Sequence, residues 1–163
     1  MIRAAVITLS DKGSRGERVD ESGAVIREMI ETIGASVAEY QIIPDERDRI
    51  VRELTRLADG GIIDLILTTG GTGVAPRDVT PEATLDVIER ELPGMAEAMR
   101  AESLKKTPHA VISRAVAGIR GRTLIVNLPG SPRAVRENLA VILPALNHAV
   151  EKIKGDPSDC ARA

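Results

Sequence analysis

"LILTTGGTGVAPRDVTPEAT", residues 65–84, runs an apolar strand, a glycine-rich turn and a helix start together in direct succession. The apolar run is rich in Leu and Ile, as expected of a strand covered on both faces. Gly70, Gly71, Thr72 and Gly73 follow it at once. Glycines there admit positive φ and let backbone N–H groups approach an anion. Thr80 reads as the cap of the next helix, with Pro81 at its first position and Glu82 beside the positive helix end. The turn is not a phosphate loop of the Walker type, because no Lys-Ser/Thr pair follows. GxGxxG is also absent, which excludes the dinucleotide fingerprint. A glycine turn serving only chain reversal is the plain alternative, and the adjoining Arg77, Asp78 and Thr80 argue against it.

Working outward, further buried strands are expected over residues 4–9, 37–43 and 123–128, with the central one spanning 62–69. The strand at 37–43 alternates and carries Glu39 and Gln41, so it belongs at or near an edge. Apolar stripes at helical spacing predict one helix opening near residues 20–22 and another over 50–58 closed by Gly60-Gly61. A fourth helix is expected over 94–105. A last one, starting at Ser131-Pro132, should be kinked or split by Pro144. Arg120-Gly121-Arg122 fits a hairpin turn. Alternating strands and helices imply a three-layer α/β/α sandwich with a mostly parallel sheet. Residues 1–153 form a single domain, and 154–163 read as a frayed tail.

The composition narrows the function. A net charge of −2 gives no bulk field for nucleic acid. Tyr40 is the sole aromatic residue, which argues against base-stacking platforms. Cys160 is the single cysteine, so neither a disulfide framework nor a cysteine-built zinc site is expected. No segment reads as a membrane span or a signal peptide, and cytoplasmic is the expected location. "SLKK" at 103–106 lacks the partner motifs of a serine acyltransferase, and His109 and His148 sit in no triad or metal spacing.

Ligands in such sheets bind beyond the carboxyl ends of the strands. Four polar clusters fall there: Ser10-Asp11, Pro44-Asp45, Gly70–Gly73 and Asn127–Ser131. Asp45 has a structural alternative as a helix cap, with Asp48 three residues on. Asp78 has one as a turn residue. If the two carboxylates meet beside a phosphate turn, they need a cation, and Mg2+ suits hard oxygen ligands. Ser131 with Pro132 is sound helix-start chemistry and also an anion site, with Arg133 nearby. Ser113-Arg114 offers a hydroxyl and a guanidinium, or merely a strand with a surface arginine.

Taken in order and spacing, "LSDKGSRGERVDESG", "IIPDE", "LILTTGGTGVAPRDVTPEAT", "ISRAVAGIRG" and "LIVNLPGSPRAV" resemble the molybdopterin-binding MogA/MoaB family, over roughly residues 2 to 153. With no insertion after residues 127–130, the chain looks more like the short MoaB-type branch. The resemblance implies a molybdopterin adenylyltransferase of molybdenum cofactor biosynthesis, moving AMP from Mg-ATP to the terminal phosphate of molybdopterin and releasing pyrophosphate. It implies Asp45 and Asp78 as the functional, magnesium-holding acids, and a nucleotide region at Gly70, Gly71, Thr72 and Gly73 with Ser10 and Asp11. It implies a molybdopterin side at Ser113, Arg114, Asn127, Pro129, Gly130 and Ser131. It also implies a homotrimer or homohexamer, with the pathway's molybdate-inserting enzyme as a partner. A non-catalytic carrier of molybdopterin is the alternative, and two acids beside phosphates favour the enzyme.

Overall fold

A computed structural model describes residues 1–158; Cys160 and the rest of the tail lie outside them. The sheet has six strands: β1 (Arg3–Leu9), β2 (Ser36–Ile43), β3 (Leu65–Thr69), β4 (Arg90–Glu91), β5 (Ala117–Arg120) and β6 (Thr123–Leu128). Their order is β2-β1-β3-β6-β5-β4. β2, β1, β3 and β6 are parallel, while β5 pairs antiparallel with β6 and β4 with β5. The helices are α1 (Asp11–Ser14), α2 (Glu21–Glu31), α3 (Arg47–Asp59), α4 (Thr80–Val87), α5 (Pro93–Leu104) and α6 (Pro132–Ile153), with a 3-10 helix at Pro108–Ile112.

Strand alternation sorts the core into two halves. Leu65, Leu67, Leu124 and Val126 face a layer built by α2, α5 and α6, including Ile30, Met99 and Leu139. Ile66 and Ile125 face the other way, onto Ile50 and Leu54 of α3 and Val87 of α4. This is the three-layer sandwich expected. Each fully buried Leu or Ile contributes about 1.5–3 kcal/mol relative to exposure, so both faces of β3 are anchored. β2 lies at the sheet edge, as its alternation predicts.

Several local expectations are corrected. β3 begins at Leu65 rather than residue 62; Ile62 is exposed. Thr80 does not cap α4. Val79 holds that position, and the buried Thr80 hydroxyl instead donates to the Gly70 carbonyl at 2.9 Å. Pro144 does not split α6, which runs unbroken for 22 residues. At the start of the tail, Lys152 Nζ donates to Ser158 Oγ at 2.9 Å, which leaves the expectation for 154–163 as it stood. The 120–122 hairpin forms as expected, joining β5 to β6.

The chain leaves β1 toward β2 on one side, and β3 then pairs on the other. The switch in strand order therefore falls between the carboxyl ends of β1 and β3, where open α/β sheets leave a crevice for ligands.

Candidate active site

Gly70 and Gly71 fill that switch point, with φ of 99° and 65°. A Cβ on Gly70 would lie 2.5 Å from the Leu9 carbonyl oxygen, so only glycine lets β1 and the turn close up. A Cβ on Gly71 would crowd Thr80 Oγ1 and lie 3.1 Å from Asp45 Oδ1. The turn is thus moulded around a carboxylate from a different strand end.

Asp45 does not cap α3. Glu46 takes the cap position, without a side-chain hydrogen bond. Asp45 Oδ2 instead accepts the Asp11 N–H at 3.0 Å, and Asp11 Oδ1 accepts the Asp45 N–H at 3.0 Å. Arg77 holds Asp11 from the glycine loop with two bonds, Nε to Oδ2 at 3.0 Å and Nη2 to Oδ1 at 2.6 Å. That guanidinium keeps the Asp11 carboxyl below its ordinary value. Burial pushes Asp45 the other way, upward. Asp78 does tie its own turn, accepting the Ala75 N–H at 2.9 Å, and its Oδ2 would lie 2.8 Å from a Cβ on Gly73.

Two cavities meet at this turn. The first, about 550 Å³, reaches from Ser10, Asp20 and Asp45 to Gly70, Asp78 and Ser131. The second, about 410 Å³, reaches from Thr72 and Asp78 to Arg100, Ser113 and Glu137. Gly71, Asp78, Gly130 and Ser131 line both, forming the ridge between them. Thr69 and Ser22 fix that ridge: their hydroxyls donate to the Pro129 carbonyl at 2.6 Å and the Gly130 carbonyl at 2.8 Å. Ser131 Oγ caps α6 through the Ala134 N–H, putting the positive end of a long helix at the ridge.

Not every expected residue reaches a cavity wall. Asn127 is fully buried; its amide donates to Thr68 and Thr84 hydroxyls and its oxygen accepts the Val116 N–H. Arg114 clamps the glycine loop, donating to the Gly73 carbonyl at 2.7 Å and the Asp78 carbonyl at 2.6 Å, and pairing with Glu82. Asp11 is held by Arg77 and Asp45, as above. Arg114 and Asp11 hold the glycine loop, Asn127 ties β6 to Thr68, Thr84 and Val116, and none of the three lines either cavity. Ser10 both lines the first cavity and caps α1 through the Gly13 N–H. Ser113, ending the 3-10 helix, lines the second.

The structure adds residues that the sequence reading did not assign to the site. Asp20 Oδ2 accepts the hydroxyls of Thr8 and Tyr40, each at 2.5 Å, while Oδ1 caps α2 through the Gly23 N–H. Burial, reinforced by this carboxylate, pushes the Tyr40 phenol up to about 12, so it stays a donor. Arg18 brings a guanidinium to the first cavity, and Arg100, Ser103, His109 and Glu137 shape the second.

Among the described residues, no group of three or more His, Cys, Asp or Glu is arranged to hold a metal unaided. Asp45 and Asp78 each keep Oδ1 free of a protein hydrogen bond among those residues. That donor set fits a hard cation sharing its ligands with phosphate oxygens. No helix among the described residues is long and apolar enough to cross a membrane.

Fold and site together define a doubly covered α/β domain with a polar crevice at its topological switch point. Residues 5–148 match the family described as a probable molybdopterin binding domain. A molybdopterin adenylyltransferase of Helicobacter pylori is 45% identical over 95% of this chain and 89% of its own length. One of Escherichia coli is 40% identical over 91% of this chain and 77% of its own. The crystal structure of the molybdopterin biosynthesis enzyme MoaB from Thermus thermophilus superposes with a TM-score of 0.90 at 52% identity, covering 98% of this chain and 100% of that one. The chain belongs to this molybdopterin-binding family of molybdenum cofactor biosynthesis, as its motifs imply.

Proposed function

We propose that the protein is a molybdopterin adenylyltransferase, joining AMP from Mg-ATP to the terminal phosphate of molybdopterin and releasing pyrophosphate. One observation carries this reading: two chambers share a ridge of Gly71, Asp78, Gly130 and Ser131, with Asp45 across the turn. The relatives' printed names supply the reaction. The first chamber takes the nucleotide, against Ser10, Gly70 and Gly71; the second takes the pterin, past Ser113.

An adenylyl transfer asks for positioning and charge neutralisation more than for proton transfer. A phosphate monoester is already largely ionised near neutral pH, so the attacking oxygen needs no strong base. The ridge meets that need. The α6 N-terminus at Ser131 and the backbone of Gly71 offer N–H groups to phosphate oxygens. Asp45 and Asp78 would hold magnesium, which supplies positive charge against the phosphates when bound. Arg77 keeps Asp11 and, through it, Asp45 in place. Both acids serve to position magnesium and nucleotide, and neither transfers a proton.

Incubating the protein with molybdopterin and Mg-ATP tests the proposal. Adenylylated pterin and stoichiometric pyrophosphate are expected; pterin binding without either product would identify a carrier instead. The reading extends to a cytoplasmic homotrimer or homohexamer that hands its product to a molybdate-inserting enzyme. Light scattering that returns a monomer at micromolar concentration would remove the assembly.

A further inference from the structure

The pterin end of the second chamber has a polar pair that nothing above employs. Arg100 from α5 and Glu137 from α6 line it, and neither is among the four residues that the two cavities share. Arg100 is anchored by one bond, Nη1 to the Ala115 carbonyl at 2.9 Å, which leaves its other donors available. Glu137 is only 24% exposed. Its contacts to Arg133 Nε at 3.0 Å and Lys106 Nζ at 3.8 Å both fall on Oε1. Oε2 has no protein partner among the described residues. Beside them, Asn138 donates to Ser103 Oγ at 3.0 Å, so the Ser103 hydroxyl proton is also unassigned.

A flat heterocycle placed here meets no Phe, Tyr or Trp face, because the chain has no Phe or Trp and Tyr40 belongs to the other side of the site. The His109 imidazole is the one aromatic ring in the wall, and stacking on it would not tell one heterocycle from another. Its identity must be read at its edges. A 2-amino-4-oxo-pyrimidine edge presents two adjacent donors, the 2-amino group and N3–H, followed by an acceptor at the 4-oxo oxygen. A carboxylate accepts the two donors side by side, and a guanidinium donates to the oxo oxygen. With the terminal phosphate at the ridge, the ring end of the substrate falls on this part of the chamber.

We infer that Glu137 and Arg100 are the specificity residues of the pterin chamber, Glu137 taking the 2-amino/N3–H edge and Arg100 the 4-oxo oxygen. The inference rests on the proposed placement of molybdopterin in the second chamber. It does not need the transfer reaction.

The test is therefore a competition binding assay without ATP, displacing molybdopterin with 6-hydroxymethylpterin or with 6-hydroxymethyllumazine, whose ring carries oxygen in place of the 2-amino group. Wild-type protein should favour the pterin at least tenfold. Glu137→Gln should bring the two rings within about threefold of each other, because an amide donates to the 2-oxo group as readily as it accepts. Arg100→Ala should weaken both rings by a similar factor, since both carry the 4-oxo oxygen. Arg133→Ala removes the exposed partner of Glu137 and should leave the ratio at its wild-type value. Competition by neither ring, equal competition in the wild type, or an Arg133→Ala effect matching Glu137→Gln overturns the assignment. Loss of AMP transfer in the wild type, with ring discrimination intact, would remove the reaction and leave this assignment standing.

Discussion

Asp11 and Asp45 clasp one another across the ends of β1 and β2, each backbone N–H donating to the other's carboxylate at 3.0 Å. The clasp aims Asp45 at the glycine turn and leaves its second oxygen without a hydrogen bond among the described residues. Burial of the carboxylate raises its pKa above the ordinary 3.8, against the Asp11 N–H bond, which lowers it. The folded state therefore holds that proton more tightly than the unfolded chain. Ionised Asp45 costs stability, and the cost sets in as pH rises from the ordinary value through the raised one. Asp45→Asn keeps an acceptor for the Asp11 N–H and removes the charge. Its thermal midpoint near neutral pH should equal or exceed that of the wild type, while AMP transfer falls about 100-fold or more. A lowered midpoint would show that the charge itself holds the fold.

Asp11 behaves in the opposite sense. Its hydrogen bonds with Arg77 lower its pKa, so its contribution is present above the unfolded value and is lost as pH falls through the folded one. The guanidinium is 59% exposed, and such pairs add little to stability. Arg77→Ala should barely move the thermal midpoint near neutral pH and should reduce the loss of stability on acidification. Because the same pair steadies Asp45, the KM for ATP should rise about tenfold. An unchanged KM would mean that the clasp holds without Arg77.

Asp78 is at once a turn residue and a ridge residue, so its two roles have to be separated. Asn accepts the Ala75 N–H as Asp does, which preserves the turn. Asp78→Asn should keep its molybdopterin affinity within about twofold and lose turnover about 100-fold or more. Near-wild-type turnover, followed by pyrophosphate release, would reduce Asp78 to its role in the turn.

The difference between what the sequence shows and what it hides follows from periodicity. Both faces of Leu65–Thr69 are buried, and the unbroken apolar run said so. The glycines announced the switch point because positive φ and close approach restrict the residue type. Capping was less legible. Thr80 and Asp45 both sit where a cap is expected, yet each reaches a long-range partner, Gly70 or Asp11. The walls of the second chamber were the least legible. Arg100 and Glu137 are polar positions on amphipathic helices, and a helical stripe shows which residues face the core, not which polar ones face a cavity. Asn127 was ambiguous for a related reason: motif position marks it as a ligand residue, whereas its burial and hydrogen bonds show a strand-end clamp, and the sequence does not separate the two.

Asn127 is tested by that distinction. Truncating it leaves the Val116 N–H and two threonine hydroxyls with fewer partners in a buried site. Asn127→Ala should cost on the order of 3 kcal/mol by urea unfolding. Under conditions where the variant is folded, its affinity for 6-hydroxymethylpterin should match the wild type. A tenfold weaker affinity with full stability would return Asn127 to the pterin wall.

Gly71 and Thr80 close the set, because they decide whether the turn is moulded or merely flexible. Alanine at 71 would adopt a left-handed backbone at φ of 65° and would press on Thr80 Oγ1 and Asp45 Oδ1. Gly71→Ala should lose more than about 1 kcal/mol and nearly all AMP transfer, since the strain falls on the carboxylate proposed to hold magnesium and nucleotide. Thr80→Val keeps the shape and removes the donor to the buried Gly70 carbonyl. It should cost about 1–3 kcal/mol while sparing more activity than Gly71→Ala. If both variants lose stability equally and keep equal activity, the turn tolerates displacement and Asp45 does not depend on it for its aim.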